Sequence, residues 1–383
     1  MPSIIHIVLN DFSNDNRVRK AAECSSALGL RTYVFALQPA STRSSFTSPA
    51  FITKNFSLIT RHIPLNKIFL PLKYFEILAR MLVDLLKIRP TIIHANDLDA
   101  LPIAFLAKLV TGSYLIYDSH ELWSRAAHFD QMPRFIYSAS RVVESLLSAN
   151  CDNWITVSSS IAKYMSEDLG LPHVNVVRNI PDFNAKTNKK LLRSSLGISK
   201  ESICILYQGS ISGEGVFVIA EAFKLLKSNA VLIFLGEGAA VTPLKHLTSA
   251  FSNRVYFHPF VEASELHSYT SDADIGVHPM ISSHLNHQFA LPNKFFEYIN
   301  AGLALAVTDL PEMSSYITKY ALGKIFKSGD PYSLAEVLEE FINYPGKLSQ
   351  FKANSRLLSE TLNWDNESKI LSDIYNSALQ SDA

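Results

Sequence analysis

ALPNKFFEYINAGLALAVTDLPEM, residues 290–313, holds a helix and a strand in one stretch. Pro292 lies near the first turn of the helix and Gly302 just past its last, so both ends are marked. Ala304–Val307 is then an unbroken apolar run, the composition of a parallel strand covered on both faces. Upstream, Ile203–Tyr207, Val231–Leu235, Val255–Phe257 and Ile275–Val277 are runs of the same kind, each followed by helical spacing. The first half repeats the alternation with Ile4–Leu9, Thr32–Leu37, a weak Phe56–Arg61, Thr91–His94, Tyr114–Tyr117, Asn153–Val157 and Val174–Val177. Asn14 reads as the N-cap of the first helix and Gly29 as its stop. A polar segment with a proline, Arg178–Lys190, separates the halves. The fold class expected is α/β, with two successive doubly wound parallel sheets. In such sheets ligands bind beyond the carboxyl ends of the strands, and a cleft between the two halves is the expected site.

Composition narrows the partners. The chain has 383 residues, 35 Lys/Arg against 35 Asp/Glu, and 48% hydrophobic content. That length calls for two cores, and the neutral balance argues against nucleic acid as a partner. Residues 1–180 carry 18 basic and 14 acidic side chains, leaving 17 and 21 for the remainder, which suits two units with different partners. Cys24, Cys151 and Cys204 are odd in number and widely spaced, as buried thiols of a reducing compartment would be. No apolar run is long enough to span a membrane and the N-terminus lacks signal-peptide character, so a cytoplasmic location is expected. The helix over 69–88 admits two readings. Its apolar stripe beside Lys73, Arg80, Lys87 and Arg89 suits an anionic membrane surface, but a crossover helix packed on its own sheet is favoured.

The common nucleotide motifs GxGxxG and GxxxxGK[ST] are absent. Strand-end glycines stand in their place: Gly209, Gly213 and Gly215 after one strand, Gly236 and Gly238 after the next. Each lets backbone approach a ligand, although a tight turn would explain any single one. The helix after Pro292 should offer free N–H groups to an anion such as a diphosphate. Lys294 and Glu297, three apart, share a face. A cation beside phosphates and a carboxylate for two sugar hydroxyls suit a nucleotide sugar. A surface ion pair worth about 0.2–0.5 kcal/mol fits the spacing equally well. His278, His284 and His287 cluster without metal-ligand spacing, so no metal is expected.

With those residues in view, the chain resembles the GT-B retaining glycosyltransferases of family 4. The 290–313 stretch carries most of the likeness. Asn14–Arg19, Tyr117–Glu121, Val157–Ser160, Arg178–Pro181, Tyr207–Gly209, Phe234–Gly238, Ala273–Gly276 and Leu362–Asp365 add to it in order and spacing. The resemblance implies an acceptor domain at 1–180, a donor domain at 181–362, and a final helix at 363–383 crossing back to the first domain. It places His120 at the reaction centre with Lys294 and Glu297. It puts Gly209, Ser210, Gly236, Val261, Asn293, Lys294 and Glu297 around the donor, and Asn14, Arg17 and Asp97 on the acceptor side. From residue type alone, His120 would be a hydrogen-bonded histidine at a strand end, and Asp97 and Asp99 would be acids favoured at a helix start.

Three positions depart from the family pattern. Phe289 replaces the first of a paired-glutamate motif, and Ser210 and Glu214 stand where basic residues usually meet the diphosphate. Lys294 is one replacement cation, with Arg178 or Arg17 as another. The implied reaction moves a sugar from a nucleoside-diphosphate sugar to a hydroxyl of a glycan or lipid-linked acceptor, in bacterial surface polysaccharide synthesis. It uses no cofactor or metal, and occurs in the cytoplasm or at the inner membrane face. The alternatives are a nucleotide-sugar epimerase of the same fold, or a catalytically silent subunit that binds a nucleotide sugar or a partner enzyme.

Overall fold

A computed structural model describes residues 1–12, 15–38, 48–62, 70–123, 134–182, 189–281 and 284–381. Two compact units emerge, Met1–Arg178 with Glu367–Ala383, and Asn179–Asn366. The expected boundaries at 180 and 362 compare with observed ones at 178 and 366. The last helix, Trp364–Ser381, thus begins in the second unit and continues in the first.

The first unit is a parallel sheet of seven strands: β1 (Ser3–Ile7), β2 (Arg31–Leu37), β3 (Ile52–Phe56), β4 (Ile92–Asn96), β5 (Tyr114–Ser119), β6 (Asn153–Thr156) and β7 (Asn175–Val176). Their spatial order is β3-β2-β1-β4-β5-β6-β7. The second unit has six parallel strands: β8 (Ile203–Gln208), β9 (Ala230–Leu235), β10 (Val255–His258), β11 (Ile275–His278), β12 (Ala304–Thr308) and β13 (Gly323–Phe326). Their order is β10-β9-β8-β11-β12-β13. Both sheets are doubly wound, and their order reverses at β1/β4 and at β8/β11. The strands are apolar because helices cover both faces; β9 and β12 are buried at every residue.

The strand expectations shift at three places. β1 ends at Ile7 rather than Leu9. The weak strand foreseen at Phe56–Arg61 instead lies at Ile52–Phe56, and Ile59–His62 is a 3₁₀ turn. As an edge strand β3 needs little apolar content, and Ile52 is 49% exposed; the Glu76 carboxylate accepts the Ile59 and Thr60 N–H groups and holds the turn. β13 went unforeseen because it begins at a glycine, where a Cβ would sit 1.9 Å from the Leu305 carbonyl oxygen. Asn14 lies outside the described residues, and the first helix is capped by Asp15, whose side chain accepts the Val18 N–H at 3.1 Å.

Cys24, Cys151 and Cys204 are unpaired and buried. The helix foreseen at 69–88 runs Leu70–Ile88 and buries Ile77, Leu78, Met81 and Leu85 in its own unit. Among the described residues no helix is long and apolar enough to cross a membrane.

Candidate functional site

Glycines shape the turn point of the second sheet. Gly209 follows β8 with φ 111° and Gly236 follows β9 with φ 140°. A Cβ on Gly236 would meet the Gly209 carbonyl oxygen at 2.0 Å, and one on Gly238 would meet that of Ile211 at 2.2 Å. The two strand-end loops therefore touch backbone to backbone, which only glycine permits. At Gly209 itself a Cβ would come 3.2 Å from Lys294 Nζ.

Lys294 arrives there on the helix Asn293–Asn300, whose Phe295, Phe296, Tyr298 and Ile299 are buried. Gly276 in β11 leaves room for the Tyr298 ring, since a Cβ there would lie 2.5 Å from it. Tyr298 Oη in turn accepts the Gln208 N–H at 3.0 Å, fixing the helix to the end of β8. Pro292 is the N-cap, one position before the first turn, and no side chain caps the helix. The apolar stripe thus leaves Asn293, Lys294 and Glu297 at the carboxyl end of the sheet, with Asn293 exposed.

The two charged residues have separate partners. Glu297 Oε2 accepts from Gln208 Nε2 at 2.5 Å, and Gln208 Oε1 accepts from Thr270 Oγ1 at 2.7 Å. A buried amide thereby fixes the glutamate. Lys294 Nζ donates to Tyr207 Oη at 3.2 Å and lies 4.5 Å from that ring's centroid. Tyr207 Oη donates onward to the Ser210 carbonyl at 2.8 Å. Burial lowers the Lys294 pKa to about 8, with the Glu297 charge opposing the shift. The amine is thus largely protonated at neutral pH, with one hydrogen-bond partner among the described residues for its three N–H groups. Beside it, burial and then the Lys294 charge hold His278 down at about 3, so that imidazole is neutral.

The turn point of the first sheet is different. Asp118, at 2% exposure on β5, accepts Arg17 Nη2 at 2.6 Å and Nε at 3.0 Å, while Arg17 Nη1 donates to the Val177 carbonyl at 2.7 Å. His94 Nε2 lies 3.3 Å from Asp118 Oδ2, and His94 Nδ1 lies 2.9 Å from Tyr375 Oη. His120 Nδ1 is 3.2 Å from Asp97 Oδ2, its Nε2 is 3.5 Å from Asp118 Oδ2, and its backbone N–H donates to Asp97 Oδ1 at 2.9 Å. Asp97 holds a left-handed φ of 65°, a conformation that costs a non-glycine residue roughly 1–3 kcal/mol and that its two bonds to His120 maintain. Burial disfavours the His120 charge, but Asp97 and Asp118 outweigh it and raise the pKa to about 10. Asp99 goes the other way: burial and then Asp97 raise it to about 7.

The residues singled out from sequence therefore divide. Gly209, Ser210, Gly236, Asn293, Lys294 and Glu297 gather at the β8/β11 turn point. Val261 is 8% exposed within a hydrophobic cluster, with Phe260 beside it 65% exposed. Ser210 and Glu214 are exposed, and Ser210 Oγ lies 2.8 Å from Ser212 Oγ. In the first unit Arg17 is a buried partner of Asp118 rather than a cation free for an acceptor, and Asp97 holds His120. Arg178 likewise donates from Nη1 to Glu367 at 2.6 Å. Sequence reasoning missed Gln208, Asp118, His94 and Tyr375. The available signal was a polar residue near the carboxyl end of an otherwise apolar strand, as at Gln208, Asp118 and His94. Tyr375, far away on the last helix, gave none.

Comparison with known proteins follows the same division. Residues 16–183 match the family described as Glycosyltransferase Family 4, and residues 188–358 the family described as Glycosyl transferases group 1. TuaH of Bacillus subtilis (strain 168), provisionally assigned as a teichuronic acid biosynthesis glycosyltransferase, is 22% identical over 266 residues. That match covers 68% of this chain and 66% of TuaH, just under two thirds of the relative's length. Among solved structures, sucrose-phosphate synthase (tll1590) from Thermosynechococcus elongatus superposes with a TM-score of 0.81 at 17% identity, covering 100% of both chains. Anabaena Alr3699/HepE in complex with UDP-glucose gives 0.77 at 14% identity, over 98% of this chain and 100% of that one. At these identities the structural likeness establishes the fold.

Proposed function

The chain belongs to glycosyltransferase family 4 of the GT-B fold, and on that premise we propose that it moves a sugar from a nucleoside-diphosphate sugar to an acceptor hydroxyl with retained anomeric configuration. One observation carries the reading: a protonated, largely buried Lys294 with unfilled N–H groups beside an uncapped helix N-terminus and a glycine contact. A charge so placed calls for an anion. The diphosphate lies against Lys294 and the first turn of the helix, and Glu297, fixed by Gln208, grips the sugar hydroxyls of the nucleoside. His120 is the residue of the first unit to which the reading gives a catalytic part. The acceptor oxygen bonds to the anomeric carbon as the bond to the diphosphate breaks with its electron pair, and a diphosphate oxygen takes the acceptor's proton. Positioning and charge stabilisation drive the step, and no metal or cofactor enters the proposal.

The acceptor proposed is a glycan or lipid-linked glycan of surface polysaccharide synthesis, in keeping with the assignment of TuaH. A peripheral contact with the inner membrane face belongs to the same proposal. It is supported by Leu72, Phe75 and Val83, exposed at 50%, 65% and 51% on the Leu70–Ile88 helix. A second reading, a silent subunit that binds nucleotide without transfer, draws on the exposed Ser210 and Glu214, which bring no cation to the diphosphate. Incubation with a panel of nucleotide sugars and acceptor glycans separates the two. Diphosphate release abolished by Lys294→Ala and Glu297→Ala supports transfer. Nucleotide binding without release supports the silent subunit, and no binding by any nucleotide sinks both.

A further inference from the structure

The first unit contains a hydrogen-bonded route from its last helix to His120. Burial holds His94 neutral against the opposing pull of Asp118, so the ring carries a single N–H. Asp118 is ionised, since Arg17 and His120 outweigh the burial of its carboxylate, and it can only accept. The proton of His94 must then sit on Nε2, pointing at Asp118 Oδ2, and Nδ1 is left as an acceptor. Tyr375 Oη, 2.9 Å away, is the donor that this tautomer requires. Three N–H groups converge on Asp118 Oδ2, from Arg17, His94 and His120. Arg17 holds the carboxylate from the first helix, and His94 fixes its rotation from β4. Were the Tyr375 hydroxyl missing, His94 could take the other tautomer and turn a lone pair toward the carboxylate.

We propose that His94 and Tyr375 are positioning residues for sugar transfer: by locking Asp118 they keep His120 protonated and its Nε2–H directed, so the last helix completes the catalytic constellation of the first unit. The proposal rests on the functional reading above for the role of His120, and on the geometry alone for the lock. His120 Nδ1 is held by Asp97, whereas its Nε2, 3.5 Å from Asp118 Oδ2, is paired with it by charge and too far for a good hydrogen bond. That N–H is buried and without a hydrogen-bond partner among the described residues, and under the proposal it is the one left to a substrate oxygen. His120 then serves as a charged donor rather than as a base, and a charged donor suits a step that builds negative charge on the leaving group. The titratable and charged groups around it are Asp97, Asp99 and Asp118, with Arg17, His94, His6 and Tyr375 behind them.

The test uses the full chain with Tyr375→Phe, His94→Leu and His94→Gln, the last retaining an N–H donor toward Asp118. Imidazole NMR, with His120 assigned by its loss in His120→Asn, follows the titration of that ring. The expected result is that His120 stays charged past pH 9 in the parent and titrates about one pH unit lower in His94→Leu. The rate constant kcat falls about tenfold in the same variant, less in Tyr375→Phe, and KM and nucleotide affinity stay within about twofold. His94→Gln should recover most of both losses. Parent-like titration and kcat in His94→Leu and Tyr375→Phe overturn the proposal. So does a loss of kcat that His94→Gln fails to rescue while His120 titrates as in the parent, the mark of a merely structural role. If the parent chain transfers no sugar, the functional reading fails, and the His120 titration still decides the lock.

Discussion

At the end of β5, Arg17 and Asp118 close on each other, and His94, His120 and Asp97 complete a network that satisfies most of its charge internally. At the end of β8, where the order of the second sheet reverses, Lys294 has a single tyrosine hydroxyl for a hydrogen-bond partner among the described residues. The second sheet repeats the order of the first six strands of the first sheet, and both reverse at the same point. The first uses that point to build a fixed arrangement of charge; the second leaves a cation waiting. A turn point is therefore only a location, and what lies there decides between a scaffold for a catalytic group and a receptor for an anion.

The first unit should be the more sensitive to loss of charge. Asp118→Ala strands a buried guanidinium and is expected to cost about 3–5 kcal/mol in chemical denaturation of the first unit. Loss below about 1 kcal/mol would mean that Arg17 finds water, and the contrast between the units would collapse. The pH dependence has a definite sign. Asp118, depressed when folded, contributes stability above the unfolded carboxyl range near 3.9 and loses it as pH falls through its folded value. His120, raised to about 10, contributes fully below about 6.5 and loses that contribution as pH rises toward 10. Asp118→Asn should weaken both limbs.

The second unit should break through its backbone first. Gly236→Ala sets a Cβ 2.0 Å from the Gly209 carbonyl oxygen at a φ of 140°, so the loops must separate. Strain of about 1–3 kcal/mol is expected, with nucleotide binding lost in calorimetric titration. Lys294→Met should act oppositely on fold and ligand. Its buried charge opposes folding below about pH 8, so the variant should melt higher there, yet bind nucleotide about 10–100-fold more weakly. In the parent, affinity should be full below about pH 8 and decline above it as the amine deprotonates. A flat profile would remove Lys294 from the diphosphate.

How much of this was legible in the sequence follows the same divide. The 290–313 stretch named its helix, its strand and both charged residues because proline, glycine and apolar spacing act locally. Apart from the edge strands β3 and β13, both sheets followed from apolar runs, since a parallel strand must be buried whatever its ligand. The first unit's network was illegible because its members are distant: Arg17 meets Asp118 across 101 positions, and His94 meets Tyr375 across 281. Arg17 thus looked like a free cation on a first loop when its partner was out of view. Gln208 was hidden in another way. It ends a buried strand, but its task is set by Glu297, 89 residues on.

The smallest effect expected bears most directly on what the second unit lacks. Glu214 is exposed at the N-terminal end of the Gly215–Leu225 helix, on the loop that Gly209 opens, and no side chain caps that helix. An acid there favours the helix dipole but opposes an incoming diphosphate. Glu214→Lys reverses the second effect at a solvated position, where a charge pair is worth little, so nucleotide affinity should rise only about two- to fivefold at low salt. The gain should vanish near 0.5 M salt, since screening over such distances is then nearly complete. A gain that survives high salt would mean that the loop folds over the phosphates and shields the new cation. A weaker affinity at low salt would mean that the anion lies elsewhere, and would leave the buried charge of Lys294 without its ligand.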